Sequence, residues 1–128
     1  MIVGLGMDLV EIARIERLLA ERGDRAIVRL FTEAEATYAS SRATPAVHFA
    51  GRFAAKEAAY KALAGNELAR GIGWRELEVV KAWDGRPSLL LHGRAGERAQ
   101  ELGVTQAMLT MTHSELTAGA VVILLGGA

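Results

Sequence analysis

The run from Pro45 to Ala64 constrains this chain more than any other segment. Proline suits a first helical turn, where its preset φ fits and its missing N–H is not needed. Gly65 then provides a stop. The spacing therefore predicts one long helix from Pro45 to about Ala64. Along it, Phe53, Glu57 and Lys61 fall in one row, and Lys56 and Tyr60 in the next. Ala55, Ala59 and Ala62 make a smooth opposite side that can lie close against other elements. Alanine packs closely but buries little area per residue. With 23 alanines and 5% aromatics in 128 residues, a core built round this helix gains from contact with neighbouring subunits.

Length and charge narrow the class. A chain of 128 residues supports one domain, spanning 1–128. A 51% hydrophobic and 23% charged composition excludes a wholly disordered chain. The aliphatic run Ala120 to Leu125 is too short to cross a bilayer. The opening Met1-Ile2-Val3-Gly4 lacks the basic start of a signal peptide. No cysteine is present, which removes disulfides and thiolate chemistry and fits a reducing, cytoplasmic setting. Zero net charge and a pI near 6.8 argue against nucleic acid as the partner.

Residues 2–10 alternate as a strand, with Val3, Leu5, Met7 and Leu9 on one face and Ile2, Gly4, Gly6 and Asp8 on the other. Residues 11–21 read as an amphipathic helix striped by Ile12, Ile15, Leu18 and Leu19, ended by Gly23. Arg22, Arg25 and Arg29 follow without an assigned element. Thr32 and Glu35 form a capping box for the next helix, which fades at Ser40-Ser41. Beyond the long helix come a strand over 76–83, a turn at Asp84-Gly85 and a strand over 88–92. A helix over 93–102 and strands over 106–112 and 117–125 complete the chain. Strands and helices do not alternate strictly. The expected fold is α+β, with a largely antiparallel sheet packed against the long alanine-rich helix.

Several side chains have both a plain and a chemical reading. Glu57 and Lys61 suit an ordinary surface pair one turn apart. Asp8, with Glu11 three residues on, suits a helix N-cap. Asp8 beside two glycines also suits a hard cation, and magnesium takes a few carboxylates together with phosphate and water oxygens. By parity His113 belongs with buried Leu109 and Met111, and His92 likewise reads as a core histidine, whereas His48 fits either role. Arg14 and Arg17 read as a solvated helix face. No phosphate-binding glycine loop, zinc spacing or nucleophile elbow occurs.

Taken together and in order, these segments resemble a known family. Gly6-Met7-Asp8-Leu9-Val10-Glu11-Ile12 with Arg14, then Phe31-Thr32-x-x-Glu35, then Gly51-Arg52-Phe53-Ala54-Ala55-Lys56-Glu57-Ala58-x-x-Lys61-Ala62-Leu63, resemble motifs of the holo-acyl-carrier-protein synthases, the 4′-phosphopantetheinyl transferases. Gly85-x-Pro87 and Thr112-His113 match as well. The resemblance implies an enzyme that moves phosphopantetheine from coenzyme A to a serine of an apo acyl carrier protein, in fatty acid biosynthesis, leaving adenosine 3′,5′-bisphosphate. It implies Asp8 and Glu57 as magnesium ligands and catalytic residues, with Lys61. It implies Arg52, Lys61, Arg86, Pro87 and His113 as coenzyme A contacts. It implies Arg14 and Arg17 as the face met by the acidic carrier, and a homotrimer with the site between subunits. Two segments depart from the family pattern. Thr110-Met111-Thr112-His113 stands where Ser-x-Ser-His is common, and Asn66 to Gly71 replaces a short glycine-rich loop. A non-catalytic coenzyme A-binding subunit and an oligomerisation module are the other classes open to this chain.

Overall fold

The alanine-rich run is a helix, α4 (Pro45–Leu63), and twelve of its nineteen residues are buried. The computed structural model describes residues 1–127; Ala128, the end of the expected domain, lies outside them. In chain order the elements are β1 (Ile2–Glu11), α1 (Ile12–Arg22), α2 (Asp24–Leu30), α3 (Glu33–Ser40), α4, α5 (Glu67–Arg70), a 3₁₀ turn (Trp74–Glu76), β2 (Leu77–Lys81), β3 (Pro87–Leu91), α6 (Gly93–Leu102), β4 (Val104–His113) and β5 (Thr117–Gly126). Every strand pairing is antiparallel. One sheet has the order β1-β5-β4, and β2 pairs with β3 in a second. The α+β expectation holds.

The two faces of β1 are used in an unexpected way. Gly6 and Val10 point inward, and Leu5, Met7 and Leu9 are 63%, 61% and 66% exposed. The reason lies in α4. A β-carbon on Gly6 would collide with the Ala58 carbonyl, and one on Gly4 with the Ala62 carbonyl. Only glycine lets the strand backbone rest directly on the helix backbone. The glycines and the alanines of α4 thus pack on each other within one chain, and the apolar strand face is left outside.

Two short helices escaped the sequence reading. Gly23 does end α1, but its φ of 54° also turns the chain into α2, which buries Ala26 and Leu30. The Asn66–Gly71 segment holds one capped helical turn, in which Asn66 Oδ1 accepts the Ala69 N–H at 2.9 Å.

The Thr32–Glu35 capping box forms as expected. Glu35 has a second role that spacing did not reveal. Its carboxylate meets Lys56 Nζ at 2.7 Å with both side chains fully buried. It also accepts the Val79 N–H at 2.8 Å. Lys56 donates further to the Trp74 and Leu77 carbonyls at 2.9 and 2.6 Å. Burial lowers the Lys56 pKa and Glu35 works against that. This ion pair ties α3, α4 and β2 together.

Candidate functional site

Asp8 stands inside β1, opposite Ala120. The strand continues through Glu11, and Glu11, not Asp8, is the N-cap residue of α1. The capping role for Asp8 is therefore excluded. Lys61, near the end of α4, donates to Asp8 Oδ1 at 3.1 Å and to the Met7 carbonyl at 3.0 Å. Its ion pair runs across to the strand and not along the helix to Glu57, so the simple surface pair is not what forms. Glu57 lies close enough to feel the Asp8 charge. Burial first, then Asp8, push its carboxyl up, while Lys61 and Arg14 pull it down. Asp8 on β1 and Glu57 on α4 thus lie within range of each other's charge, and the Lys61 ammonium sits against Asp8.

This donor set fits magnesium. It offers two hard anionic oxygens that repel each other, and a cation between them relieves that repulsion. Among the described residues no group of three or more His, Cys, Asp or Glu gathers at one place. A site here therefore needs oxygens from a ligand, as magnesium sites on phosphates commonly do.

A second constellation lies on another side of α4. Arg52 is only 7% exposed, and its Nε has no partner. With Tyr38, Val80, Lys81, Gly85, Pro87 and Met111 it lines a cavity of about 200 Å³. His48 belongs to the same neighbourhood. Burial lowers its pKa, followed by the charges of Arg52, Arg42, His113 and Lys81. No carboxylate forms a salt bridge with Arg42, His48, Arg52, Lys81 or His113 among the described residues. A cation-rich pocket with a buried, unpartnered guanidinium nitrogen is suited to an anion.

The His48 shift predicts a pH dependence of stability. The unfolded chain takes up this proton near the ordinary value of 6.5, and the folded chain only at lower pH. Stability is therefore complete above that value and is lost as the pH falls below it. Urea midpoints at about pH 7.5 and 5.5 should show a decrease that His48→Gln makes smaller. An equal decrease in both proteins would remove His48 as a cause.

The remaining expected residues divide. Pro87 lines the cation pocket, whereas Arg86 is exposed and pairs with Asp84 at 3.3 Å. His113 is exposed, not a core histidine. Its parity matches inward positions, but β4 is an edge strand and His113 is its last residue. His92 is also exposed, with Nε2 2.9 Å from Glu78 Oε1. Thr110 and Thr112 are exposed on β4.

Arg14 lies 5.4 Å from the centre of the Phe53 ring. It lines a groove of about 710 Å³ together with Arg22, Arg25, Arg29 and Trp74. Arg17 is exposed on α1 and outside that lining. Trp74 stacks on Phe53 at 5.1 Å and also borders a smaller cavity, about 250 Å³, that Glu57 lines. The arginine-lined groove therefore adjoins the cavity that Glu57 lines. Arg25 and Arg29 were visible as a charge run, but only α2 aims them at the groove. Tyr38, His48 and Lys81 carry no spacing signal, because three separate elements bring them together.

Both the sequence and the fold have counterparts among known proteins. The profile of the 4′-phosphopantetheinyl transferase superfamily matches residues 4–121. A holo-acyl-carrier-protein synthase of Alkalilimnicola ehrlichii is 52% identical, with 97% of each chain covered. The crystal structure of the synthase from Neisseria meningitidis superimposes with a TM-score of 0.85 at 28% identity, covering 98% of this chain and 99% of that one. The Bacillus anthracis synthase, in complex with coenzyme A (3′,5′-ADP), gives 0.78 at 32% identity, with 99% of each chain covered.

Proposed function

This chain belongs to the 4′-phosphopantetheinyl transferase superfamily, and from that premise we propose that it is a holo-acyl-carrier-protein synthase, acting as a single domain in the cytoplasm and supplying carrier for fatty acid biosynthesis. The observation that carries the reading is the Lys61–Asp8 ion pair, which joins β1 to α4 with Glu57 within range of the Asp8 charge. The hydroxyl oxygen of a carrier serine attacks the diphosphate phosphorus that bears the pantetheine arm. The bond from that phosphorus to the bridging oxygen breaks, and adenosine 3′,5′-bisphosphate leaves. Charge grows on the bridging and equatorial oxygens, so the protein contributes mainly positioning and neutralisation. Magnesium bound by Asp8 and Glu57 would neutralise diphosphate charge. Lys61 offers a point charge to the same oxygens once it releases Asp8. The proton leaving the serine goes to Glu57 or to water held beside it.

Arg52, Pro87 and His113 are the coenzyme A contacts of this reading, joined by Lys81. Arg86 contributes its backbone turn more than its head group, which is held by Asp84. Incubation with coenzyme A, magnesium and an apo acyl carrier protein should add the mass of phosphopantetheine to the carrier. Coenzyme A binding without that gain would favour a non-catalytic binding subunit.

The same reading takes the protein as a homotrimer with the site between subunits. Arg52 and Glu57 stand five residues apart on α4, about 140° around its axis. One chain's cation pocket and its carboxylate pair therefore open on different sides, which suits a ligand bridging two copies. The outer sheet face supplies the contact. Met7 aligns with Val121 and Thr110, and Leu5 with Ile123 and Met108. An apolar face of this kind is characteristic of association surfaces. Light scattering should give about three times 13.7 kDa, and Met7→Asp should yield monomers that lose activity. A monomeric wild type at micromolar concentration would refute the arrangement.

The acidic carrier is assigned to the basic groove. Arg14 and Arg25 line it, and this reading takes Arg25 in place of Arg17, which the family resemblance implied. Reversing Arg14 and Arg25 to Glu should lower kcat/KM for the carrier at least tenfold, roughly 1.4 kcal/mol. The loss should be largest at low salt and should spare coenzyme A binding. Arg17→Glu should change it less. The opposite ranking would move the docking face along α1.

A further inference from the structure

One aromatic ring gathers the cations of the second constellation. The guanidinium of Arg52 lies 4.4 Å from the centre of the Tyr38 ring, that of Arg42 5.5 Å, and the ammonium of Lys81 5.5 Å. His48 meets the same ring edge-on at 5.8 Å. These groups come from α3, the turn after it, α4 and the end of β2. The Tyr38 hydroxyl donates to no described residue, so the ring itself is the common element.

Like charges brought this close repel one another. Carboxylates do not pair with them among the described residues, and the Arg52 Nε is buried and free. The negative face of an aromatic ring offsets part of that repulsion. It does so without supplying an anion that would compete for the pocket. Lys81 and Arg42 are exposed and would otherwise be drawn into water. Held on the ring, they stay beside the cavity that Tyr38, Arg52 and Lys81 line.

We propose that Tyr38 is a positioning residue for coenzyme A: its ring holds Arg42, Arg52 and Lys81 at one pocket so that together they take a phosphate group of the ligand. The proposal rests on the assignment of coenzyme A as substrate. Two sources of phosphate share this chemistry, the monoester on the ribose and the diphosphate. Binding measurements with coenzyme A and with 3′-dephospho-coenzyme A separate them.

The test compares Tyr38→Leu with Tyr38→Phe by calorimetric titration and by transfer kinetics. Tyr38→Leu should weaken coenzyme A binding at least about tenfold and raise its KM, with kcat near wild type, whereas Tyr38→Phe should stay within about twofold. If the monoester sits in the pocket, the Leu variant binds dephospho-coenzyme A as well as wild type does. If the diphosphate sits there, both ligands are weakened. Lys81→Met serves where Tyr38→Leu melts early: it should weaken coenzyme A alike, and the Tyr38→Leu/Lys81→Met double variant should lose less than the sum of the two. Unchanged coenzyme A affinity in a folded Tyr38→Leu protein overturns the proposal, as does a Phe variant as weak as the Leu variant. A wild-type protein that binds no coenzyme A would instead overturn the substrate assignment itself.

Discussion

Asp8→Asn and Glu57→Gln should each lower phosphopantetheine transfer by at least about a hundredfold, close to 2.7 kcal/mol of barrier, while the melting temperature stays near wild type. Both changes keep shape and remove charge. Asp8 is not a helix cap, since the strand runs on through Glu11, so a capping loss cannot mimic the effect. Its ion pair with Lys61 is half exposed on the lysine side, and pairs of that kind contribute about 0–1 kcal/mol to stability. Removing the Asp8 charge also relieves Glu57, whose carboxyl that charge pushes up. Little stability is therefore at stake, whereas a cation held by two carboxylates loses half its anionic ligands. Single-turnover transfer read by mass spectrometry, beside thermal melts, checks both parts. Full activity in Asp8→Asn would refute the metal role. Lost activity with a large drop in melting temperature would make Asp8 a folding residue.

Glu35→Ala should destabilise the fold by about 3–5 kcal/mol, because it leaves a fully buried ammonium without its counter-charge. Lys56 has no route to water, and the Thr32 and Val79 N–H groups lose their acceptor as well. Against a typical total stability of about 5–15 kcal/mol, this is a large share. Lys56→Met should cost less. The Glu35 carboxylate then keeps its two backbone donors, and methionine fills most of the lysine volume. Urea unfolding of both variants gives the comparison. A Glu35→Ala loss below about 1 kcal/mol would show that the buried pair does not anchor α3 to α4 and β2.

Local signals in the sequence located most elements. Pro45 and Gly65 bracketed α4, Thr32 and Glu35 announced the start of α3, and Asp84-Gly85 marked the turn between β2 and β3. These succeeded because each depends on a backbone property of one or two residues. The misses came where a local signal was ambiguous, too short, or dependent on distant cover. Gly23 signals the end of a helix equally well whether a loop or a second helix follows, so α2 went unseen. Asn66 caps only one turn, too short for periodicity to register. His113 was placed inside by strand parity, which gives a side but not whether anything covers that side.

The candidate site divides in the same way. Asp8, Glu57, Lys61, Arg52 and Pro87 became candidates through the resemblance of their motifs to a family, since residue type and spacing alone left Glu57 and Lys61 as a surface pair and Asp8 as a cap or a cation site. Their partnerships could not be. Helical spacing joined Glu57 to Lys61, yet Lys61 reaches across to Asp8, more than fifty positions away along the chain. The same spacing placed Lys56 in one row with Tyr60, yet its ammonium is fully buried on Glu35.

The sequence by itself determined where most of the helices and strands form and which charged groups are available, since propensity, caps and turns act within a few residues. Only the tertiary structure decided what those groups meet. Gly4 and Gly6 let β1 rest on the backbone of α4. That contact turns Leu5, Met7 and Leu9 outward and sets Asp8 beside Lys61 and within reach of the Glu57 charge. A close approach between two distant backbones is a property of the pair, and no local pattern in either segment contains it.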